Sequence, residues 1–493
     1  MKKASSFSLD KLFVLSSILY IIAPVIVFFF GWLKIIVALI ATIPFLLLVY
    51  FAYRQLTSEE IKLVRKESII YWIIAVVVLG VWVYYSGIGG FSYQNSDHWV
   101  RNPIYRDMCR YNWPMIYDLS KESSFVQSIT GTGKVAFSYY FTWWLVPALF
   151  SKIFRLNELG CNIVLLLWSL IGVLLVLYNI NRITRKCSYM NLFVFALFSG
   201  MDFIGFILYK RYFSFTEHLE WWSGYWLQYT GNTTQLYWVF NQSIPLWIIM
   251  SLVLQLKDNK YIGSLCALTF IYSPWAVFGI IPIAWAGSFF RKQSIRQAFN
   301  PINTVVTILI ALIYGLFYMA SSGSSGGIGT TVSYYRDDLV RFLLTCILFL
   351  ILEAILFLIL SYKENKDSIY FNVVFLELLG CPMIFMRDGN FTMRASLPAL
   401  FIMMVYVLIS IETSKDTVRK IILIVMLGIG SITSICEINR SREQSIKGIV
   451  DNEEEVYSFG DIKTDNIDRI NIIKDQFFIY DYHEAVFFRY LSK

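Results

Sequence analysis

Runs of apolar residues, each closed by a short polar connection, recur along the whole chain, and this alternation predicts a series of membrane-spanning helices. A span needs roughly 20 predominantly apolar residues, and runs of that kind lie near 12–30, 33–53, 69–87, 160–178, 190–208, 237–256, 302–320, 339–361, 369–386, 396–411 and 421–436. Residues 261–290 form a longer apolar run interrupted by Pro274 and Pro282. Proline disfavours helix in the residue before it, so this run reads as two short spans turning near Tyr272-Ser273-Pro274. The stretch from Val135 to Phe154 is also apolar, but Tyr139, Tyr140, Trp143, Trp144 and Pro147 crowd its middle, which suits a helix lying in the membrane interface. The expected fold is an all-α polytopic membrane bundle of 13 transmembrane helices.

Charge sets the expected orientation. If the N-terminus with Lys2, Lys3 and Lys11 lies inside and 135–154 does not cross, the connections carrying Arg54/Lys62/Arg65/Lys66, Arg182/Arg185/Lys186, Lys257/Lys260, Arg291/Lys292/Arg296, Lys363/Lys366 and Lys415/Arg419/Lys420 all fall inside. Basic residues favour the cytoplasmic side of short connections, so the prediction is a multi-pass protein of the cell membrane, N-terminus cytoplasmic and C-terminus outside. The outer side then receives 88–159, 209–236, 321–338, 387–395 and everything from 437 onward. Two units follow: a transmembrane domain over 1–436 and a small extracytoplasmic segment over 437–493. That segment ends in the aromatic run IYDYHEAVFFRYLSK and reads as a folded cap, though too short for a core of its own.

Composition agrees and narrows the choice. Of 493 residues, 57% are hydrophobic and 15% charged, which excludes an ordinary soluble domain and makes the lipid bilayer the first partner. The net charge of +8 is explained by orientation, with no call for nucleic acid. Seven scattered cysteines without a C-x-x-C pair predict neither a disulfide framework nor a thiolate metal site, and three histidines form no metal cluster.

The densest polar segment is YQNSDHWVRNPIYRDMCRYNWPMIYDL, residues 93–119, which holds Asp97, His98, Arg101, Asn102, Arg106, Asp107 and Arg110. A carboxylate at the outer mouth of a span can accept a proton from a substrate hydroxyl, and neighbouring arginines can hold a phosphate through paired N–H donors. A solvated surface loop is the competing reading. Trp99, Tyr105, Trp113 and Tyr117 interleave with the charges and favour a partly buried layer.

The run QNSDHWVRN after a span, then NWP, then YYFTWWLVPALFSKIF, resembles the first outer loop of the glycosyltransferase superfamily C (GT-C) fold. HLEWWSGYWLQYTGNTTQLYWVFNQSIP at 218–245, YSPWAVFGIIP at 272–282 and GNFTMRASLPALF at 389–401 have the same flavour. Two extra spans before the acidic loop depart from the minimal GT-C arrangement. The resemblance implies an inverting enzyme that moves a sugar from a polyprenyl-phosphate donor to a glycan or lipid-linked acceptor, with 88–159 as the catalytic outer loop. It implies Asp97 as catalytic base, or contact of a divalent metal, and Asp107 as second candidate. His98, Arg101, Asn102, Arg387 and Arg394 then become substrate contacts, the arginines beside the departing phosphate. Glu217, His218 and Glu220, next to Trp221 and Trp222, and Asn241 are candidates for holding sugar hydroxyls; an interfacial helix with a charged face competes for the former, and helix packing for the latter. Two other functions stay open: a polymerase or ligase of lipid-linked glycans, and a transporter or flippase, for which the mid-span carboxylates Glu353 and Glu377 speak.

Overall fold

The computed structural model describes residues 8–59, 61, 63, 68–119, 133–210, 212–291, 295–321, 328–386, 390–448, 457–460 and 476–493. It opens with α1 (Leu9–Trp32), α2 (Ile35–Leu56), α3 (Ile69–Tyr84) and α4 (His98–Arg110), followed by β1 (Ile116–Asp118), β2 (Lys134–Phe137) and α5 (Leu145–Ile153). Next come α6 (Glu158–Thr184), α7 (Tyr189–Leu197), α8 (Asp202–Lys210), α9 (Asn232–Gln255), α10 (Ile262–Tyr272), α11 (Val277–Phe289) and α12 (Pro301–Met319). The last part holds β3 (Ile328–Thr330), α13 (Leu339–Leu350), α14 (Leu356–Asn365), α15 (Ile369–Gly380), β4 (Ile384–Met386), α16 (Asn390–Ala395), α17 (Leu397–Thr413), α18 (Thr417–Lys447) and β5 (Phe478–Ile479).

Among the described residues, eight helices, not thirteen, are long and apolar enough to cross a membrane, consistent with a multi-pass membrane protein: α1, α2, α6, the broken α7–α8 pair, α9, α12, the α13–α14 pair and α18. At a rise of about 1.5 Å per residue a hydrocarbon core of about 30 Å needs some 20 residues. The other five apolar helices are only 10–17 residues long, because turn residues cut them short. Tyr85 caps α3 just before Gly87, which has φ +83; Pro274 separates α10 from α11 and Pro382 follows α15. The 135–154 stretch is no single helix either: it divides into β2, a 3-10 turn at Thr142–Trp144 and the nine-residue α5.

Local signals set several ends. Ser8 caps α1 by accepting from the Lys11 N–H, Asn157 caps α6 by accepting from Gly160, and Asn300 caps α12 ahead of Pro301. Gly448, with φ +64, closes α18 in a left-handed turn, so that helix runs past position 436 to Lys447. The bundle is organised around α9, whose apolar window is 94% buried; a helix covered on all sides sits at the centre of its neighbours.

The two ends of the bundle differ. At the start of α1, Asp10 pairs with Arg182 at 2.7 Å, and Glu59 with Arg185 at 2.8 Å and Lys257 at 3.6 Å. Past the other end of α1, the Lys34 N–H donates to the Leu491 carbonyl and the Lys493 N–H to that of Trp32. There the polar segments build one layer. The all-α expectation is corrected here by two small antiparallel sheets. In β1–β2–β5, Tyr117 faces Val135 and Phe137 faces Phe478; in β3–β4, Gly329 faces Phe385. Tyr225 donates to Asp338 at 2.5 Å, Tyr93 N–H to Ser445 at 2.8 Å and Arg394 to Tyr140 at 2.9 Å, tying further segments into it.

Candidate functional site

The polar layer meets the bundle where α4 begins. Asn95 holds the entry: its amide donates to the Tyr237 carbonyl of α9 at 2.9 Å and its oxygen accepts from the Asp97 N–H at 3.1 Å. Asp97 precedes the first turn of α4, and one turn on the Arg101 Nη2 donates to its Oδ2 at 2.8 Å. The Asp97 side chain is 40% exposed, while that of Arg101 is only 5% exposed. α9 is kinked at Val239, and the next residue, Phe240, sets its ring 5.6 Å from the Arg101 guanidinium. Buried this way, Arg101 leaves Nε and Nη1 without a hydrogen-bond partner.

A second guanidinium approaches from α16. Arg394 donates from Nη1 to the Tyr140 hydroxyl, and its own Nε is buried without a partner. Tyr140 stacks on Tyr139 with ring centroids 3.8 Å apart. Burial works against the Arg394 charge, but the Tyr140 and Tyr139 hydroxyls and the Asp97 carboxylate outweigh it and hold the guanidinium above its ordinary value. Asp97, Arg101 and Arg394 thus share one electrostatic neighbourhood. Buried donors almost always find an acceptor, so the three bare guanidinium nitrogens of these two arginines make this neighbourhood a candidate for holding an anion.

His98 and Asn102 support this group from behind. His98 is buried, stacks on Phe240 at 5.6 Å and accepts from the Gln94 amide at 3.3 Å; burial, aided by Arg101, pushes its ring down to about 4, so it is neutral at pH 7. Asn102 and Gln94 exchange a reciprocal amide pair at 2.9 and 3.2 Å.

Asp107 lies about 15 Å further along α4, on another side. It is fully buried and accepts from the Tyr117 hydroxyl and the Phe459 N–H, both at 2.9 Å. Burial pushes its carboxyl up to about 6. Its partners place it as an anchor for the 457–460 segment. Beside it, Arg106 and Arg110 pair with Glu158 at 3.0 and 3.4 Å and lie over the Tyr457 ring at 4.2 and 4.7 Å. Arg106, Arg110 and Glu158, with Asn102 and Gln94, wall a cavity of about 270 Å³; Asp97 and Asp107 are not among its walls.

The other candidates are dispersed. His218 contacts Glu437 at 2.5 Å and Arg440 reaches the same carboxylate at 2.5 Å. Burial opposes the His218 charge and Glu437 raises the ring above its ordinary value. Glu217 and Glu220 do not share a helix face, since only a 3-10 turn at Leu219–Trp221 forms there. Glu220 is fully buried, accepting from Gln228 at 2.6 Å and from the Gly231 N–H at 2.9 Å. Asn241 is buried within α9 with neither amide atom partnered. Arg387 lies outside the described residues. Tyr139, Tyr140 and Phe240 complete the arginine group without having been named as site residues; the aromatic cluster at 139–144 was the one available signal.

No known protein family, characterised protein or solved structure matches this chain. The site therefore has to be read from its own chemistry. For a divalent metal at Asp97 the fit is poor among the described residues: the carboxylate is paired with Arg101, and no three His, Cys, Asp or Glu side chains gather.

Proposed function

We propose that this protein is a membrane glycosyltransferase that moves a sugar, with inversion, from a polyprenyl-phosphate donor to a glycan or lipid-linked acceptor hydroxyl on the outer face of the membrane. The polar layer is the outer face in this reading, and the ion-paired end of the bundle faces the cytoplasm. One observation carries it: a part-exposed carboxylate, Asp97, is paired at 2.8 Å with the buried Arg101 within the electrostatic reach of a second buried arginine, Arg394, and the two guanidinium groups together leave three nitrogens without a partner. The reaction needs those two elements. Asp97 accepts the acceptor's proton as its oxygen attacks the anomeric carbon, and the bond to the lipid phosphate breaks with its electron pair leaving on phosphate oxygen. Arg101 and Arg394 supply preorganised positive charge for that oxygen from buried side chains. Tyr139 and Tyr140 offer ring faces to a sugar. Sequence resemblance to the GT-C loop around QNSDHWVRN supports the same assignment.

Membranes containing the protein, incubated with a panel of radiolabelled polyprenyl-phosphate sugars, test the reading. One donor is expected to be consumed, and Asp97→Asn to lower its turnover by roughly 10²–10⁴-fold, the usual contribution of a general base, with expression unchanged. Near-normal turnover in that variant would remove Asp97 from the base role.

A further inference from the structure

A second feature lies inside the bundle and is independent of the transfer reaction. The apolar stretch Tyr189–Lys210 is broken between α7 and α8. The Phe198 carbonyl of the break accepts from the Asn232 N–H at 2.8 Å, and the Met201 N–H donates to the Leu352 carbonyl at 3.3 Å. Leu352 belongs to a π-helical turn, Ile351–Ile355, that joins α13 to α14. Two irregular backbones thus face each other within the packed helices, and each brings a carboxyl group. Asp202 is the first residue of α8; its Oδ2 accepts from Ser199 at 2.9 Å and Thr433 at 3.2 Å, while Oδ1 has no donor. Glu353, on the π turn, is 0% exposed, and neither of its oxygens meets a donor. The two carboxyls are within hydrogen-bonding reach of each other. The approach depends on Gly200, where an added Cβ would stand 1.5 Å from the Glu353 Oε2.

Among the described residues no lysine or arginine bonds to either carboxyl. The titratable groups that interact with the pair are Glu220 and His218 on the polar layer and Tyr229, whose hydroxyl donates to the Leu378 carbonyl; His218 is in turn engaged, with Arg440, by Glu437 of α18. Two ionised carboxylates held close together in a packed interior repel strongly, and each is also costly to strip of water. Broken and π-bulged helices with buried carboxyls are where membrane proteins hold ions.

We propose that Asp202 and Glu353 form a proton-binding site inside the bundle, the two carboxyls sharing one exchangeable proton at neutral pH. Glu220, which burial pushes up to about 7, is the next carboxyl toward the polar layer.

Detergent-purified full-length protein at pH 8 serves for the test. Dicyclohexylcarbodiimide, which attacks protonated carboxyls in apolar surroundings, is expected to modify Glu353 or Asp202, equally in sodium and potassium chloride. A carboxylic-acid C=O band is expected in the infrared difference between the native protein and Glu353→Gln, which cancels any contribution of the likewise unpartnered Glu377, and it should shift within minutes of transfer to D2O. Asp202→Asn gives a second comparison should that variant fail to fold. No modification and no band would overturn the site, as would a band that D2O leaves unshifted for hours, which marks a sealed structural proton. Suppression of the modification by sodium alone would also overturn it, in favour of a metal ion.

Discussion

Arg182 and Arg101 are equally buried, with side chains 3% and 5% exposed, and both pair with an aspartate, yet they stand in opposite chemical states. Every nitrogen of Arg182 is occupied: Nε and Nη2 donate to Asp10 at 2.7 and 3.2 Å, Nη2 also reaches the Leu56 carbonyl at 3.0 Å, and Nη1 donates to Gln255. Asp10 in turn accepts from the Tyr178 hydroxyl at 2.7 Å. Arg101 makes one bond, to a carboxylate open to solvent, and leaves two nitrogens bare. A saturated arginine holds helices together; an unsaturated one holds its place for something else. The first belongs to the ion-paired end of the bundle and the second to the polar layer.

The contrast can be broken by substitution. Arg182→Met strands the buried Asp10 charge and is expected to cost about 3–5 kcal/mol, read as a large fall in the detergent unfolding temperature. Arg101→Met removes a single pair with a half-open carboxylate and is expected to cost under about 1 kcal/mol in stability. Under the proposed transfer reaction its effect should appear in the chemistry, where loss of charge-assisted bonds worth about 1.5–3 kcal/mol lowers kcat/KM for a polyprenyl-phosphate donor by roughly 10–100-fold. Should Arg101→Met unfold the protein as readily as Arg182→Met, the two arginines are alike and the distinction fails.

The smallest effect expected concerns Asp107. Its folded value of about 6 lies above the ordinary carboxylate value of about 3.9, so between these pH values the folded chain binds more protons than the unfolded one. Stability from this group is therefore full below about pH 4 and is lost as pH rises through 6. Asp107→Asn should flatten that part of a stability-against-pH curve while leaving donor KM near normal. A variant with an unchanged slope would show that Asp107 is not the titrating group.

Much of the polar layer was legible in the sequence because its signals are local. The charged and aromatic run at 93–119 places Asp97 and Arg101 one helical turn apart, and the two arginines of RDGNFTMR were flagged in a connection between apolar runs. What sequence could not give was which side of α4 a charge faces. Asp107 looks as available as Asp97, and only the return of residues 457–460, far along the chain, buries it. Helix length was misjudged for a related reason: apolar composition does not tell a long helix from a short one ended by Tyr85 or Pro382. Glu353 is visible as a charge inside an apolar run, whereas Asp202 sits towards the end of one, and only the Ser199-Gly200 step before it hints at the break.

The pairing of β5 with β2 carries a consequence for how the protein is made. Residues 478–479 complete a sheet whose other strands lie at 116–118 and 134–137, so a ribosome must deliver nearly all the helices to the translocon before that sheet can close. Nascent chains therefore pass through a stage in which the bundle is inserted while its aromatic lid seam, from Phe137 to Phe478, is still open. That interval is when a quality-control protease or chaperone on the lid side would find its substrate.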